Sequence, residues 1–149
     1  MSHCSLNKDR MFWTLNILFL IQWVAFGVNV HSRSAWLLEN ILVFALIVPI
    51  VIAYKKTYIS RTSYLLIFIF ASIHNVGAHC TYSLVPYDHW LNSIFGFTIG
   101  SSRNHYDRMV HFLFGFLLFL PLKELVIRIV PLKVRWAGAL AVLIVIGWS

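Results

Sequence analysis

Acidic side chains are scarce in this chain: five of its 149 residues are aspartate or glutamate, and charged residues of both signs make up only 11%. A soluble domain carries about a quarter of its residues charged, so a water-covered surface over most of the molecule is excluded. Cysteine is almost missing as well. Cys4 and Cys80 are the two that occur, with no CxxC pair and no disulfide framework. No HExxH pattern is present, which removes the two-histidine helix of the zinc proteases. What fills the chain instead is apolar: 60% of residues, far more than a core of this size can hide from water. The net charge of +7 would suit a nucleic-acid binder in a soluble chain. Here the basic residues sit in short clusters between apolar runs, the pattern of membrane topology signals. Nucleic acid is therefore not among the expected partners.

Five apolar stretches stand out: Met11–Val30, Trp36–Tyr54, Tyr64–Tyr82, the run from the Ser101–Gly115 region to Leu122, and Trp136–Ser149. The first is long enough to cross the hydrocarbon as a helix and has no small-residue cleavage site after it, so it reads as a retained helix and not a signal peptide. The last has only fourteen residues before the sequence ends, short of a span. The expected fold is all-α: a polytopic transmembrane helical bundle with four full spans and a truncated fifth. It forms one membrane domain over residues 1–149 with an incomplete C-terminus. Lys8, Arg10, Lys55, Lys56, Arg61, Lys123, Arg128, Lys133 and Arg135 fall on one side of this arrangement, and Arg33, Arg103 and Arg108 on the other. Nine against three places the N-terminus in the cytoplasm. The two cysteines then lie on opposite sides and do not pair. The connection from Ser83 to Asn104 is rich in aromatic residues and is expected to lie as a lid on the outer surface.

The stretch Ser101–Gly115, SSRNHYDRMVHFLFG, carries the chemistry. Arg103, Asn104, His105, Asp107, Arg108 and His111 crowd into nine residues at the mouth of an apolar helix, where a bilayer penalises each of them. Asp107 and His111 are four apart and share a helix face, as do Asn104 and Arg108. His79, at the outer end of the third stretch, lies at about the same depth, and His74 is deeper.

Three chemistries fit. His79, His105, Asp107 and His111 offer the imidazole and carboxylate ligands that hold zinc or a similar divalent metal. Alternatively, Asp107 orients His111 through one ring nitrogen and leaves the other to move a proton, making these two the catalytic pair. Arg103, Asn104 and Arg108, at a helix start with free N–H groups, suit an anionic substrate such as a phosphate or a lipid headgroup. A purely structural reading stands beside them: Asn104 and Asp107 as a helix cap, the arginines snorkelling to headgroups, and His111 in an interhelical hydrogen bond. Elsewhere structure is the simpler reading. Gln22, Asn16 and Asn29 read as helix–helix contacts, and Glu39 with Asn40 as a hydrogen-bonding pair near the outer surface that has the option of joining the site.

The segments GAHCTYSLVPYDHWLN and FGFTIGSSRNHYDRMVHFLFGF resemble the signature of the YjdF family, bacterial inner-membrane proteins of unknown function. The likeness covers about residues 36–135. Departures are Cys80 where the family has tyrosine, an inserted Thr-Ile-Gly-Ser before Ser102, and Phe114 where glutamine is usual. The Asp107, Arg108 and His111 element is also similar to the DKxxH element of VanZ-like membrane proteins, some of which are linked to glycopeptide resistance. The resemblance implies a multi-pass protein of the cell inner membrane. It also implies that chains of this type continue into a helix rich in glutamate and tryptophan, which would add acidic members to the site.

These readings converge on an outward-facing polar site acting on a lipid or phosphorylated substrate, with membrane lipids as partners and a homo-oligomer as the assembly such a bundle admits. The alternative is a non-enzymatic membrane scaffold, or a small-solute permease that gates with the same histidines.

Overall fold

Apolar runs separated by short polar links become helices in a lipid environment because only a helix satisfies its own backbone groups within one segment. The computed structural model describes residues 3–52, 59–99, 104–129 and 134–148. Among these residues every regular element is helical: α1 (His3–Gly27), α2 (Arg33–Ile52), α3 (Arg61–His79), α4 (Tyr87–Phe95), α5 (Tyr106–Ile129) and α6 (Val134–Trp148). By length and composition, Asp9–Gly27 and Tyr106–Arg128 can each cross a membrane. The all-helical expectation holds, and the five apolar stretches correspond to α1, α2, α3, α5 and α6. The fourth stretch does not stop at Leu122. α5 continues through a buried Pro121 to Ile129 as one helix.

α3 is the hub. It packs against α1, α2 and α5, while α6 rests on α5. Phe12 of α1, Tyr64, Ile67 and Phe70 of α3, and Tyr106, Val110, Leu117 and Leu118 of α5 make the buried core. Polar pairs set the register between helices. Gln22 of α1 accepts a hydrogen bond from the Ser72 hydroxyl at 2.8 Å, the helix contact expected of it. Asn40 of α2 is buried, donates to the Trp36 carbonyl at 2.6 Å and accepts from the indole of Trp23. Asn16 instead turns back on its own helix, donating to the Phe12 carbonyl at 2.8 Å, and Asn29 takes a left-handed conformation (φ 54°) in the link between α1 and α2. An asparagine can satisfy itself on local backbone, which is why its type alone does not mark a helix contact.

The two ends of α3 are built differently. At its start, Ser60 is extended and its hydroxyl oxygen accepts from the Ser63 N–H at 3.2 Å. The Ser60 N–H donates to the Glu124 carboxylate of α5 at 2.8 Å, so the cap also ties two helices. At its end, the Tyr82 N–H donates to the Gly77 carbonyl at 2.7 Å and the Thr81 N–H to the Ala78 carbonyl at 3.4 Å. This is the paired closure of a Schellman turn, which normally places glycine at its left-handed position. Here that position is Thr81 (φ 52°), followed by a second left-handed residue, Tyr82 (φ 54°). A β-branched residue at positive φ is a strained one.

The strain is removable. Thr81→Gly supplies the backbone freedom the turn needs and should stabilise the folded protein by about 1 kcal/mol, after allowing for the extra freedom of glycine in the unfolded chain. Thermal unfolding in detergent should show a higher midpoint for the variant than for the wild type.

Candidate functional site

The turn after α3 exists to place one ring. Tyr82 folds back along its own helix and lies over Gly77, where an added Cβ would stand 2.6 Å from a ring carbon of the tyrosine. Only glycine leaves that space. The Tyr82 hydroxyl then reaches Nδ1 of His74, a buried residue two turns back on α3. Nε2 of the same imidazole is 3.2 Å from the backbone carbonyl of Glu39 on α2. A carbonyl only accepts, so Nε2 carries the proton, and Nδ1 accepts the proton of the tyrosine. One imidazole thus joins a strained turn to a neighbouring helix.

Asn104 holds the turn from the other side. Its amide nitrogen lies 3.1, 2.9 and 2.7 Å from the carbonyls of Tyr82, Ser83 and Val85. Its side-chain oxygen accepts from the Tyr106 N–H at 2.9 Å, an Asx turn that opens α5. An amide has two N–H groups, and here both are committed to backbone. The expected substrate-binding role of Asn104 therefore gives way to a clasp between the α3 turn and the start of α5. Tyr106, directly after the clasp, is buried and donates its hydroxyl proton to the Ile73 carbonyl at 2.7 Å. The rings of Tyr82, Tyr87 and Trp90 surround it at 6.1, 5.9 and 6.5 Å. α4 is anchored through the last two of these, while Ile94, Phe95, Phe97 and Ile99 remain exposed. The expected lid is thus a short amphipathic helix hooked onto α5, described as far as Ile99.

With the start of α5 fixed, Asp107 and His111 face away from the core. Their side chains are 56% and 53% exposed, and His111 Nε2 lies 3.5 Å from Asp107 Oδ1. Glu39 of α2 interacts electrostatically with both, and Tyr82 with Glu39 and Asp107. α2 and α5 each pack on α3. Glu39 on α2 and Asp107 with His111 on α5 thus lie near one another on two helices that both pack on α3, and the gap between them is the candidate cleft. Arg108 is exposed beside them. Arg103 lies outside the described residues.

The expected metal set is not gathered. His79 sits on the α1 side of α3, where its Nδ1 meets the Phe26 carbonyl at 2.8 Å and its ring stands edge-on to Phe26. Its own carbonyl accepts from the His31 N–H at 3.3 Å. Residues 74 and 79 are five apart, so they leave the helix about 140° apart and serve different neighbours. His105 precedes α5 and is half-buried. Among the described residues no three His, Cys, Asp or Glu side chains come together in a way that could hold a metal ion. Of the four expected ligands, only Asp107 and His111 form a pair.

Three members of the cleft escaped the sequence reading in whole or part. The sequence marks Glu39 chiefly as a structural contact, His74 only as deeper than His79, and Tyr82 as the end of an apolar run. A glycine five residues before a tyrosine at a helix end was the available signal, since it marks where a ring can lie flat on the helix.

The family model described as "Predicted membrane protein (DUF2238)" matches residues 11–149. The inner membrane protein YjdF of Escherichia coli (strain K12) is 30% identical over 128 residues, which are 83% of this chain and 54% of that relative. The chain thus spans about half the length of the curated relative it matches. No solved structure shows significant similarity to it.

The Gly77 space gives a direct test. Gly77→Ala should push the Tyr82 ring off the helix, break its bond to His74 and lower stability by about 1–3 kcal/mol. Adding Tyr82→Ala to that variant should cost less than Tyr82→Ala costs alone, because the two changes act on one contact. Thermal unfolding of the four proteins of this cycle in detergent measures the difference.

Proposed function

This chain belongs to the DUF2238 family of membrane proteins, which includes YjdF, and from that premise we propose that it works as a multi-pass protein of the inner membrane with its cleft open to the outer face. In this reading α1, α2, α3 and α5 each cross the bilayer and α6 begins a fifth crossing. The N-terminus is cytoplasmic. The bias of lysine and arginine toward the end of the bundle where α3 starts supports this orientation. In this reading the cleft, at the opposite end of α3, lies beneath the external lipid headgroups.

The cleft acts on a membrane lipid or a phosphorylated substrate by acid–base chemistry. The observation that carries this is the Asp107–His111 pair, 3.5 Å apart and open to its surroundings. Such a pair within a helix end is expensive to hold in or near lipid unless it is used. Asp107 meets Nε2 and steadies the ring. Nδ1 is left to take or give a proton. Arg108, one residue from Asp107 and three from His111, supplies positive charge for a phosphate at the same helix end, and Arg103 would add to it.

Purified protein reconstituted with phosphatidylglycerol tests the anion arm. Arg108→Ala should retain less than half of the lipid that the wild type retains after detergent washing. Equal retention would remove Arg108 from the site. Mass-spectrometric lipid profiles of cells producing wild type and Asp107→Asn test the chemical arm. A lipid or phosphorylated species changed by the wild type and unchanged by Asp107→Asn is the expected result, and identical profiles at equal protein levels would contradict it.

A further inference from the structure

The buried floor of the cleft carries a second arrangement of reactive groups that Asp107 and His111 do not use. Tyr82 gives its hydroxyl proton to Nδ1 of His74, and the Nε2–H of His74 points at the Glu39 carbonyl. A group that can lose a proton, a base within hydrogen-bond reach of it, and a third group that orients the base are the three parts of an activated dyad. The backbone around it delivers the ring to this position. Thr81 and Tyr82 are both left-handed, Gly77 leaves room for the ring, and Asn104 binds the carbonyls of Tyr82, Ser83 and Val85. Strain held in place by several independent contacts is found where a side chain must be delivered to one position.

We infer that Tyr82 and His74 form a proton-accepting pair that serves the cleft, with Tyr82 meeting a hydroxyl group brought there and His74 as the base behind it. The hydroxyl belongs to water or to an alcohol of the substrate. Its proton passes to the Tyr82 oxygen as the proton of Tyr82 passes to His74 Nδ1. The electron pair of the broken O–H bond stays on the hydroxyl oxygen, which becomes the nucleophile. His74 becomes an imidazolium, still bonded through Nε2–H to the Glu39 carbonyl. Among the described residues, Glu39 from α2 and Tyr106 and Asp107 from α5 lie within electrostatic reach of Tyr82. Returning the two protons resets the pair. The inference extends the reading of the cleft as a reactive site, and its test does not depend on Asp107, His111 or any lipid.

An activated phenol attacks a sulfonyl fluoride. The tyrosine oxygen bonds to sulfur, fluoride leaves, and the neighbouring base keeps the proton. The full chain, purified in detergent, is treated with a small aryl sulfonyl fluoride, and the rate at each tyrosine is read by peptide mass spectrometry. Tyr82 should react at least tenfold faster than the half-buried Tyr87, whose hydroxyl meets no histidine among the described residues. His74→Gln should bring the rate at Tyr82 down to that at Tyr87, while Asp107→Asn, which disables the other pair, should leave it at least fivefold above Tyr87. Equal rates at Tyr82 and Tyr87 in the wild type would overturn the inference whether or not the His74 variant folds. So would an unchanged Tyr82 rate in a folded His74→Gln protein.

Discussion

One aromatic ring laid over a glycine holds this end of the molecule together. Because Gly77 has no side chain, Tyr82 can fold back against α3 and bond to His74, and His74 in turn meets the backbone of Glu39 on α2. The same turn offers its carbonyls to Asn104, which fixes where α5 begins. The positions of Glu39 on one helix and of Asp107 with His111 on another are therefore both set through the turn that follows α3. Backbone strain at Thr81 and Tyr82, of order 1–3 kcal/mol for each such residue, is outweighed by these contacts and by the core beneath them.

Lipid surroundings sharpen the logic. Apolar contacts between helices gain little there, because lipid tails are as apolar as leucine, so packing and polar contacts decide which helices meet. The interhelical pairs in this chain follow that rule: Gln22 with Ser72, Asn40 with Trp23, His79 with the Phe26 carbonyl, and Ser60 with Glu124. Each is partly buried and matched. Asp107 and His111 differ, since they are paired with each other yet more than half exposed. A matched polar group inside the bundle is explained by assembly.

Much of this was legible in the residues. The apolar runs gave the helices, and the polar crowd from Asn104 to His111 falls at the start of α5. The family followed from the RNHYDR and HF blocks. What the residues concealed was rotational. His79 and His111 stand at similar depth, but depth does not say which side of α3 a ring leaves from, and His79 leaves toward α1. His74 reads only as a deeper histidine, and nothing beside it shows that a tyrosine eight residues later reaches back to it. Asn104 has the chemistry to bind a substrate, and nothing local to it reveals that three carbonyls of a turn some twenty residues earlier have taken its amide. A Schellman turn with threonine in its left-handed place is likewise invisible to residue preferences, which expect glycine there.

The account rests on Glu39 of α2 facing Asp107 and His111 of α5 across α3. Cross-linking between introduced cysteines measures this most directly, with Cys4 and Cys80 replaced by serine. A short bifunctional maleimide should join Glu39→Cys to His111→Cys within one chain, and should join them faster than His79→Cys to His111→Cys. Failure of the first pair to link, or faster linking of the second, would mean that no such cleft exists and that the rings at positions 79 and 111 belong to one site after all.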